Sequence, residues 1–260
     1  MKFKVKNVSL LEDLRDIKTL ANKRIKKLAI FRSSHFAKIE KGQDEVLFNK
    51  YHLHHVVDFR TDEEITKMPE LEGSVINHYH FPMLENHENR MITKENRLRI
   101  LKEMSRTEGG ARARMSDFYE LLITSKKAQK AYRNFFDVLL KAKDGEAVAF
   151  HCTQGKDRTG IALMLLLTVL GVDKQTIIDR YMKFNKLTFW FRFWVFVGMF
   201  LFKTPKLAFN LDRIIGTRRE YIERSYATIE RDYQNIDNYI RTSIGLTDEE
   251  IQILRSQYLY

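Results

Sequence analysis

The residues best suited to chemistry are concentrated in one short stretch of the chain. Its sequence is His151-Cys152-Thr153-Gln154-Gly155-Lys156-Asp157-Arg158-Thr159-Gly160. Cys152 is the only cysteine among 260 residues, so no intramolecular disulfide can form and its thiol either packs or reacts. Arg158 follows in the spacing Cys-x5-Arg, and its guanidinium fork matches two oxygens of a phosphoryl group. This spacing indicates chemistry on a phosphate-like anion.

The sequence on either side of this stretch predicts elements that would shape it into an anion-binding loop. Ala147 to Phe150 is a short apolar run, typical of a buried strand, and Ile161 to Leu170 is apolar all round, as in a buried helix. Gly155 can take backbone angles closed to other residues, so that successive N–H groups converge at the N-terminus of that helix. The predicted phosphate-binding residues are Thr153, Gln154, Gly155, Lys156 and Thr159.

The rest of the chain predicts further strands and helices in alternation. Strands are expected around Val56 and over Ser74 to Phe81, and helices over Thr93 to Thr107 and along the Tyr/Ile-rich stretch from Tyr221 to Ile240. Capping signals add helix starts at Thr61, Ser116, Ser125, Asp173 and Thr247. Strands separated by helices predict an α/β fold with a central, mostly parallel sheet, in one domain spanning residues 1–260.

The loop, with its preceding histidine and its Lys-Asp before the arginine, resembles the active-site loop of the atypical bacterial protein tyrosine phosphatases. That family acts on phosphotyrosine and phosphoinositides. Three shorter stretches also resemble the family: Leu14-Arg15-Asp16, Phe31-Arg32-Ser33-Ser34 and Val57-Asp58-Phe59-Arg60. The Gly-Gly that commonly follows the first of these is replaced by Ile17-Lys18. The resemblance implies the cysteine-phosphatase fold, with an inserted helical lid at about residues 186–213.

The resemblance also implies roles for the loop residues. Cys152 would be the nucleophile that forms a cysteinyl-phosphate, and Arg158 with the loop amides would stabilise the equatorial oxygens. Thr159 would hydrogen-bond the departing thiolate. Asp157 would be the general acid that protonates the leaving oxygen, with Asp58 as the alternative acid. Lys156 would contact phosphate, as a loop lysine does for phosphoinositide head groups.

Several residues near these motifs are open to a purely structural interpretation. His151 is expected to orient the loop, and Asp58 and Arg60 could simply pair with each other. Asp157 could be only a partner of Lys156. Scattered histidines at 52, 54, 55, 78 and 80 have His-x-His spacing but no carboxylate or cysteine in pattern, so no metal site and no cofactor are predicted.

Two other functions use a comparable loop. A non-catalytic phosphate-binding module would keep the anion site without turnover. A sulfur transferase of the rhodanese type also uses a cysteine loop, although generally without Cys-x5-Arg followed by Thr-Gly. Intact Cys152 and Arg158 favour the phosphatase over both.

The composition is that of a globular protein with a basic surface. Lys and Arg exceed Asp and Glu by 45 to 34, which gives a formal charge of +11 and favours anionic partners. The expected partners are phosphotyrosine proteins or phosphoinositides, and nucleic acid is not expected because no recognised motif accompanies the basic residues. The N-terminus has no signal-like apolar run, so a cytoplasmic location is predicted unless a secretion signal has been removed.

The aromatic stretch from Leu187 to Phe202 is the second unusual feature of the sequence. The stretch has 16 residues and includes Arg192, whereas a helix needs about 20 apolar residues to span a bilayer. It could pack in the core, or it could form a lid or peripheral membrane contact beside the active site.

Overall fold

The computed structural model describes residues 3–71, 74–86, 110–201 and 205–260. Its centre is a five-stranded sheet in the order β1-β2-β5-β3-β4. β1 is antiparallel to β2, and the other neighbours are parallel, which confirms the predicted fold class. The strands are β1 Leu11–Asp13, β2 Ile30–Ser33, β3 Leu53–Asp58, β4 Asn77–His80 and β5 Ala147–His151.

Helices flank this sheet. Those before β5 are α1 Gln43–Tyr51, α2 Asp62–Lys67, α3 Gly110–Thr124 and α4 Lys126–Lys141. Those after β5 are α5 Asp157–Val169, α6 Lys174–Met182, α7 Phe184–Leu201, α8 Pro205–Ile215, α9 Arg219–Tyr233, α10 Ile236–Tyr239 and α11 Asp248–Tyr258, with a π-helix over Ile240–Ile244. None of the described helices is long and apolar enough to cross a membrane.

Most of the predicted helix starts are confirmed by the caps in the structure. Thr61 and Thr247 both form reciprocal capping boxes, with Glu64 and Glu250 respectively. The side chains of Ser125 and Asp173 accept from backbone N–H groups three residues on, at the starts of α4 and α6. These caps are local hydrogen bonds, which is why sequence spacing predicts them.

Four expectations differ from the structure or lie outside it. Ser116 does not start a helix but lies inside α3. The expected single helix through Ile240 is broken at Gln234, whose φ is +70°, so that α9 ends and α10 starts anew. The strand expected over Ser74 to Phe81 covers only β4, and the helix expected over Thr93 to Thr107 lies outside the described residues.

Strand β5 is the centre of the core and leads directly to the site. All five of its residues are buried, with Ala147 and Ala149 in one hydrophobic cluster and Val148 and Phe150 in another. The alternation follows from the two-residue period of a strand, so apolar layers cover both faces of the sheet. Helix α5, which follows the loop, is buried along nearly its whole length.

Candidate active site

The predicted loop lies between the end of β5 and the start of α5. Gly155 has a φ of +70°, and a Cβ at this position would overlap the carbonyl oxygen of Ser33 on β2. The carbonyl of Gly155 in turn accepts from Arg32 Nε at 2.8 Å. Both contacts require the loop backbone to lie directly against β2, so glycine is needed here for its conformation and for its lack of a side chain.

The thiol of Cys152 and the hydroxyl of Thr159, which are expected to act together, are both buried at the loop. Cys152 is 3% exposed, and Thr159 on the first turn of α5 is fully buried. The Thr159 hydroxyl has no hydrogen-bond partner among the described residues. Gln154, by contrast, is exposed.

Arg158 is fixed by a carboxylate that the sequence did not mark as part of the site. Its Nη1 donates to Glu64 Oε2 at 2.6 Å, and its Nη2 donates to Glu64 Oε1 at 2.8 Å. Thr153 Oγ1 also donates to Glu64 Oε1, at 2.5 Å. Among the described residues no hydrogen bond uses Arg158 Nε. This edge of the guanidinium therefore remains for an anion in the loop.

The ion pair sets the protonation of Glu64. Burial by itself would raise its pKa, but the charge and hydrogen bonds of Arg158 and the hydroxyl of Thr153 lower that pKa to about 2. Glu64 is therefore ionised at neutral pH. From the sequence, Glu64 was expected only in the capping box with Thr61, and its Oε2 does accept from the Thr61 N–H at 2.9 Å. One carboxylate thus serves both the helix cap and Arg158.

Asp157 and Lys156 contact each other and the helices around the loop. Lys156 Nζ lies 3.2 Å from Asp157 Oδ2 and donates to the carbonyl of Ile214, near the end of α8. The Tyr119 hydroxyl donates to Asp157 Oδ1 at 2.5 Å and lies 2.6 Å from the Tyr181 hydroxyl. The expected Lys156–Asp157 pairing is therefore present, together with a tyrosine pair that sequence spacing could not reveal.

Asp58, Arg60 and His151 form a second polar cluster behind the loop. Arg60 Nε donates to Asp58 Oδ2 at 2.8 Å, and Arg60 Nη2 contacts Glu70. His151 Nδ1 donates to the Cys152 carbonyl at 3.0 Å, and burial lowers the pKa of His151 to about 4, so it is neutral near pH 7. This contact gives His151 a position from which it can orient the loop.

The carboxylates of this cluster have opposite pKa shifts. Burial by itself would raise the pKa of Asp58, but the neighbouring His151 and Arg60 lower it below the ordinary value. Burial raises the pKa of Glu70 to about 7. Donor atoms of Asp58, Glu70 and His151 lie within 4.8 Å of one another, but Arg60 already places a cation on both carboxylates.

The arrangement as a whole has the features that a site for a tetrahedral dianion needs. Three groups meet at one loop: the thiol of Cys152, the guanidinium of Arg158 held by Glu64, and the N-terminus of α5. These groups match the charge and shape of a phosphoryl group. This geometry is typical of α/β proteins that bind a phosphate monoester in a loop carrying a cysteine.

Comparison with known proteins gives the family. The model of the tyrosine phosphatase family matches residues 4–260, so the chain belongs to that family. A protein of Cupriavidus necator named "putative tyrosine-protein phosphatase" is 28% identical over 97% of this chain and 86% of its own length. The triple specificity protein phosphatase PtpB of Mycobacterium tuberculosis is 25% identical over 88% of this chain and 90% of its own length. The chain is therefore a phosphatase, an enzyme of the hydrolase class.

Proposed function

We propose that this protein hydrolyses phosphotyrosine and phosphoinositide monoesters through a cysteinyl-phosphate on Cys152. The observation that carries the proposal is the loop geometry, in which Cys152 and the Glu64-bound Arg158 share one buried loop at a helix N-terminus. Such a site suits a phosphoryl dianion.

The reaction has two displacements at phosphorus. The Cys152 sulfur attacks, the P–O bond to the substrate breaks, and a general acid gives its proton to the leaving oxygen. Water then attacks the cysteinyl-phosphate and gives a proton to the carboxylate that acted as the acid, the S–P bond breaks with its electron pair on sulfur, and inorganic phosphate leaves. Arg158 Nε and the loop amides stabilise the equatorial oxygens in both steps. The hydroxyl of buried Thr159 has no partner within the part of the chain that the structure describes, which supports its role as a donor to the departing thiolate.

Asp157 is the better of the two candidate acids. Asp58 pairs with Arg60 and has a lowered pKa, which favours its ionised form near neutral pH. An ionised carboxylate has no proton to give. Asp157 begins α5 immediately before Arg158 and is bonded through one oxygen to the Tyr119 hydroxyl. This bond positions the carboxyl inside the loop, with its other oxygen 3.2 Å from Lys156 Nζ.

The phosphoinositide part of the proposal rests on Lys156 and on the basic charge of the chain. Lys156 is buried in the loop between Asp157 and the carbonyl of Ile214. If α8 moves away, this ammonium loses one partner and can meet a second phosphate on an inositol ring. We include in the proposal that α7 and α8 form a lid over the loop, and that residues 187–202 contact the membrane that carries such lipids.

The decisive test is Cys152→Ser with a generic aryl phosphate as substrate. We expect kcat to fall by about 10³-fold or more, since the serine hydroxyl is a far weaker nucleophile than a thiolate. The thermal midpoint measured by circular dichroism should stay within a few degrees of wild type. Undiminished turnover in this variant would refute the mechanism. Phosphate binding without turnover in the wild type would instead favour a non-catalytic module.

The same assay separates the two acids. Asp157→Asn should reduce kcat strongly for a phenyl phosphate with a poor leaving group and much less for a nitrophenyl phosphate, since a good leaving group needs little protonation. Asp58→Asn should show no such dependence on the leaving group. The reverse pattern would assign the acid to Asp58.

A further inference from the structure

Helix α7 carries a set of large aromatic side chains on its outer surface. We call Phe189, Trp190, Phe193 and Trp194 the aromatic face. Trp190 is 67% exposed and Trp194 is 64% exposed, and both phenylalanines are also exposed. Pairs of them are three or four residues apart in the sequence, which places them on one side of the helix. Their rings contact one another, with centroids 5.4 Å apart for Phe189–Trp190 and for Phe193–Trp194. They form one continuous apolar surface rather than scattered exposed residues.

The aromatic face is not what attaches α7 to the rest of the protein. Arg192, on the inner side, donates to Asp212 of α8 at 2.6 Å and to Asn185 at 2.9 Å. A Cβ at Gly216 would lie 2.8 Å from the guanidinium carbon of Arg192, so the guanidinium packs directly on that backbone. Phe196 packs on Phe209 of α8, with centroids 5.3 Å apart. The helix is held by its inner side, and the aromatic face is left to solvent.

The charges in the sequence around the aromatic face have a single sign, although Arg192 pairs with Asp212 on the inner side of the helix. No Asp or Glu occurs between Asp179 and Asp212, whereas the same stretch contains six basic residues, namely Arg180, Lys183, Lys186, Arg192, Lys203 and Lys206. Lys186 is exposed and lies three and four residues before Phe189 and Trp190, at the N-terminal end of the aromatic face. A surface of this kind attracts an anionic partner and offers it an apolar contact.

We infer that the aromatic face inserts into the interfacial layer of a bilayer that contains anionic lipid, so that α7 lies flat on the membrane surface. Tryptophan and phenylalanine at the headgroup level and lysine toward the anionic surface are the features of a helix that lies in a membrane interface. A protein partner or a second copy of the chain would not need the basic bias. This inference rests on the membrane contact included in the proposed function and assigns it to four side chains, whereas vesicle binding can be measured without turnover.

The chain supplies its own probe for this inference. Its only two tryptophans, Trp190 and Trp194, both lie on the aromatic face. Full-length Cys152→Ser protein, which needs no turnover, should be titrated with vesicles of phosphatidylcholine and phosphatidylserine that lack phosphoinositides. We expect a blue shift of the emission and quenching by lipids with bromine in the acyl chains. Both effects should weaken in pure phosphatidylcholine and at high salt, since about 1 M salt shortens the Debye length to about 3 Å.

A matched pair of variants ties binding to the face. Phe189→Ser with Phe193→Ser keeps both tryptophans and should weaken vesicle affinity by about tenfold or more, since about 1.4 kcal/mol is a factor of ten. Ile253→Ser changes a side chain of α11 that is similarly exposed and should leave affinity unchanged.

Three results would overturn the inference. They are an emission that vesicles do not shift, a shift without quenching by brominated lipid, and equal binding by the double variant and wild type. Vesicle-independent dimerisation that the double variant abolishes would assign the face to a second copy instead. Turnover of a soluble aryl phosphate, measured on the wild type in parallel, tests the proposed function separately. Vesicle binding can therefore fail while hydrolysis persists, or the reverse.

Discussion

Among single residues, Glu64 determines how Arg158 is presented. Its two oxygens bind the two terminal nitrogens of the guanidinium, and Nε has no hydrogen bond to the described residues. Arg158 is buried, so without this partner its charge would be left uncompensated. Glu64 also bonds Thr153 within the loop. It therefore acts as a positioning residue that holds both the arginine and the loop in one arrangement.

We predict that Glu64→Gln destabilises the protein in a pH-dependent way. The folded-state pKa of Glu64 is depressed from 4.5 to about 2, so its stabilisation is fully present above about pH 4.5 and is lost as the pH falls toward 2. The difference in free energy of unfolding between wild type and variant should be on the order of 3 kcal/mol near pH 7 and should shrink below pH 4.5. Denaturant titrations at several pH values measure it.

Glu63→Gln is the matched control, because Glu63 pairs with Lys67 on the exposed side of the same helix. That substitution should change the free energy of unfolding by less than about 0.5 kcal/mol. A difference for Glu64→Gln that does not depend on pH would contradict the role given to the ion pair. Turnover of an aryl phosphate should also fall in Glu64→Gln, with kcat affected more than KM, since a misplaced Arg158 weakens mainly the transition state.

Site residues that are close along the chain were predictable from the sequence, whereas their distant partners were not. The strand, loop and helix that carry Cys152 and Arg158 were predicted from local patterns and are present. Glu64, the partner of Arg158, is 94 residues away in the sequence. The sequence marked Glu64 only as part of a helix cap, so its contact with Arg158 was not predicted. The bond from Tyr119 to Asp157 is likewise a packing result, since 38 residues separate them. One sequence cannot show which distant side chains will meet.

Among the elements, the loop depends most on how closely it approaches β2. The carbonyl of Ser33 and the side chain of Arg32 both meet the loop at Gly155. The adjoining α5 approaches α6 closely as well, since a Cβ at Gly160 would lie 2.9 Å from the Tyr181 ring. Two glycines within one short stretch therefore fix the loop between a strand and a helix.

We predict that Gly155→Ala collapses the site. The new methyl group would overlap the carbonyl oxygen of Ser33. Relieving this overlap would require the backbone to move, because no flexible side chain is involved. We expect loss of more than about 2 kcal/mol of stability, by chemical denaturation, together with loss of aryl phosphate turnover. Gly145→Ala is the matched control, with a φ of +85° but open space around the new Cβ, so it carries the conformational cost alone. Equal effects of the two substitutions would contradict the close approach.

The elements themselves were only partly predictable. Helices with strong caps were found, because a cap is a local signal. The short strands β1 and β2 could not be predicted from an alternating pattern, since both are buried throughout. The break between α9 and α10 was missed because the apolar period continues across Gln234 and Asn235. There the position of the turn is set by packing rather than by composition.

At the scale of the whole molecule, the chain has one thiol and no second cysteine to protect it. Cys152 is buried in this structure, so a substrate and an oxidant both need the same opening to reach it. A sulfenic acid formed there has no partner for an internal disulfide. Reversal of oxidation must therefore come from an external thiol.

We predict that low concentrations of hydrogen peroxide inactivate the protein and that dithiothreitol restores the activity. Peroxide would be reduced to water as the thiolate becomes sulfenic acid, and higher doses would give sulfinic acid that dithiothreitol does not reverse. Residual turnover and intact mass, before and after reduction, measure both stages. Inorganic phosphate in the loop should slow the loss. Activity that survives peroxide would show that the oxidant does not reach the Cys152 sulfur.

The sheet order has a consequence for how the chain must fold as it is synthesised. β5 lies between β2 and β3, yet it follows both in sequence by about ninety residues or more. Until residue 151 has left the ribosome, β2 and β3 each have an open edge that only β5 should fill. If these two edges paired directly with each other, the sheet would be misfolded. Unpaired strand edges also promote aggregation and are protected by chaperones during synthesis. The strand that ends at His151, just before Cys152, therefore completes the sheet, and the active site cannot exist before that step.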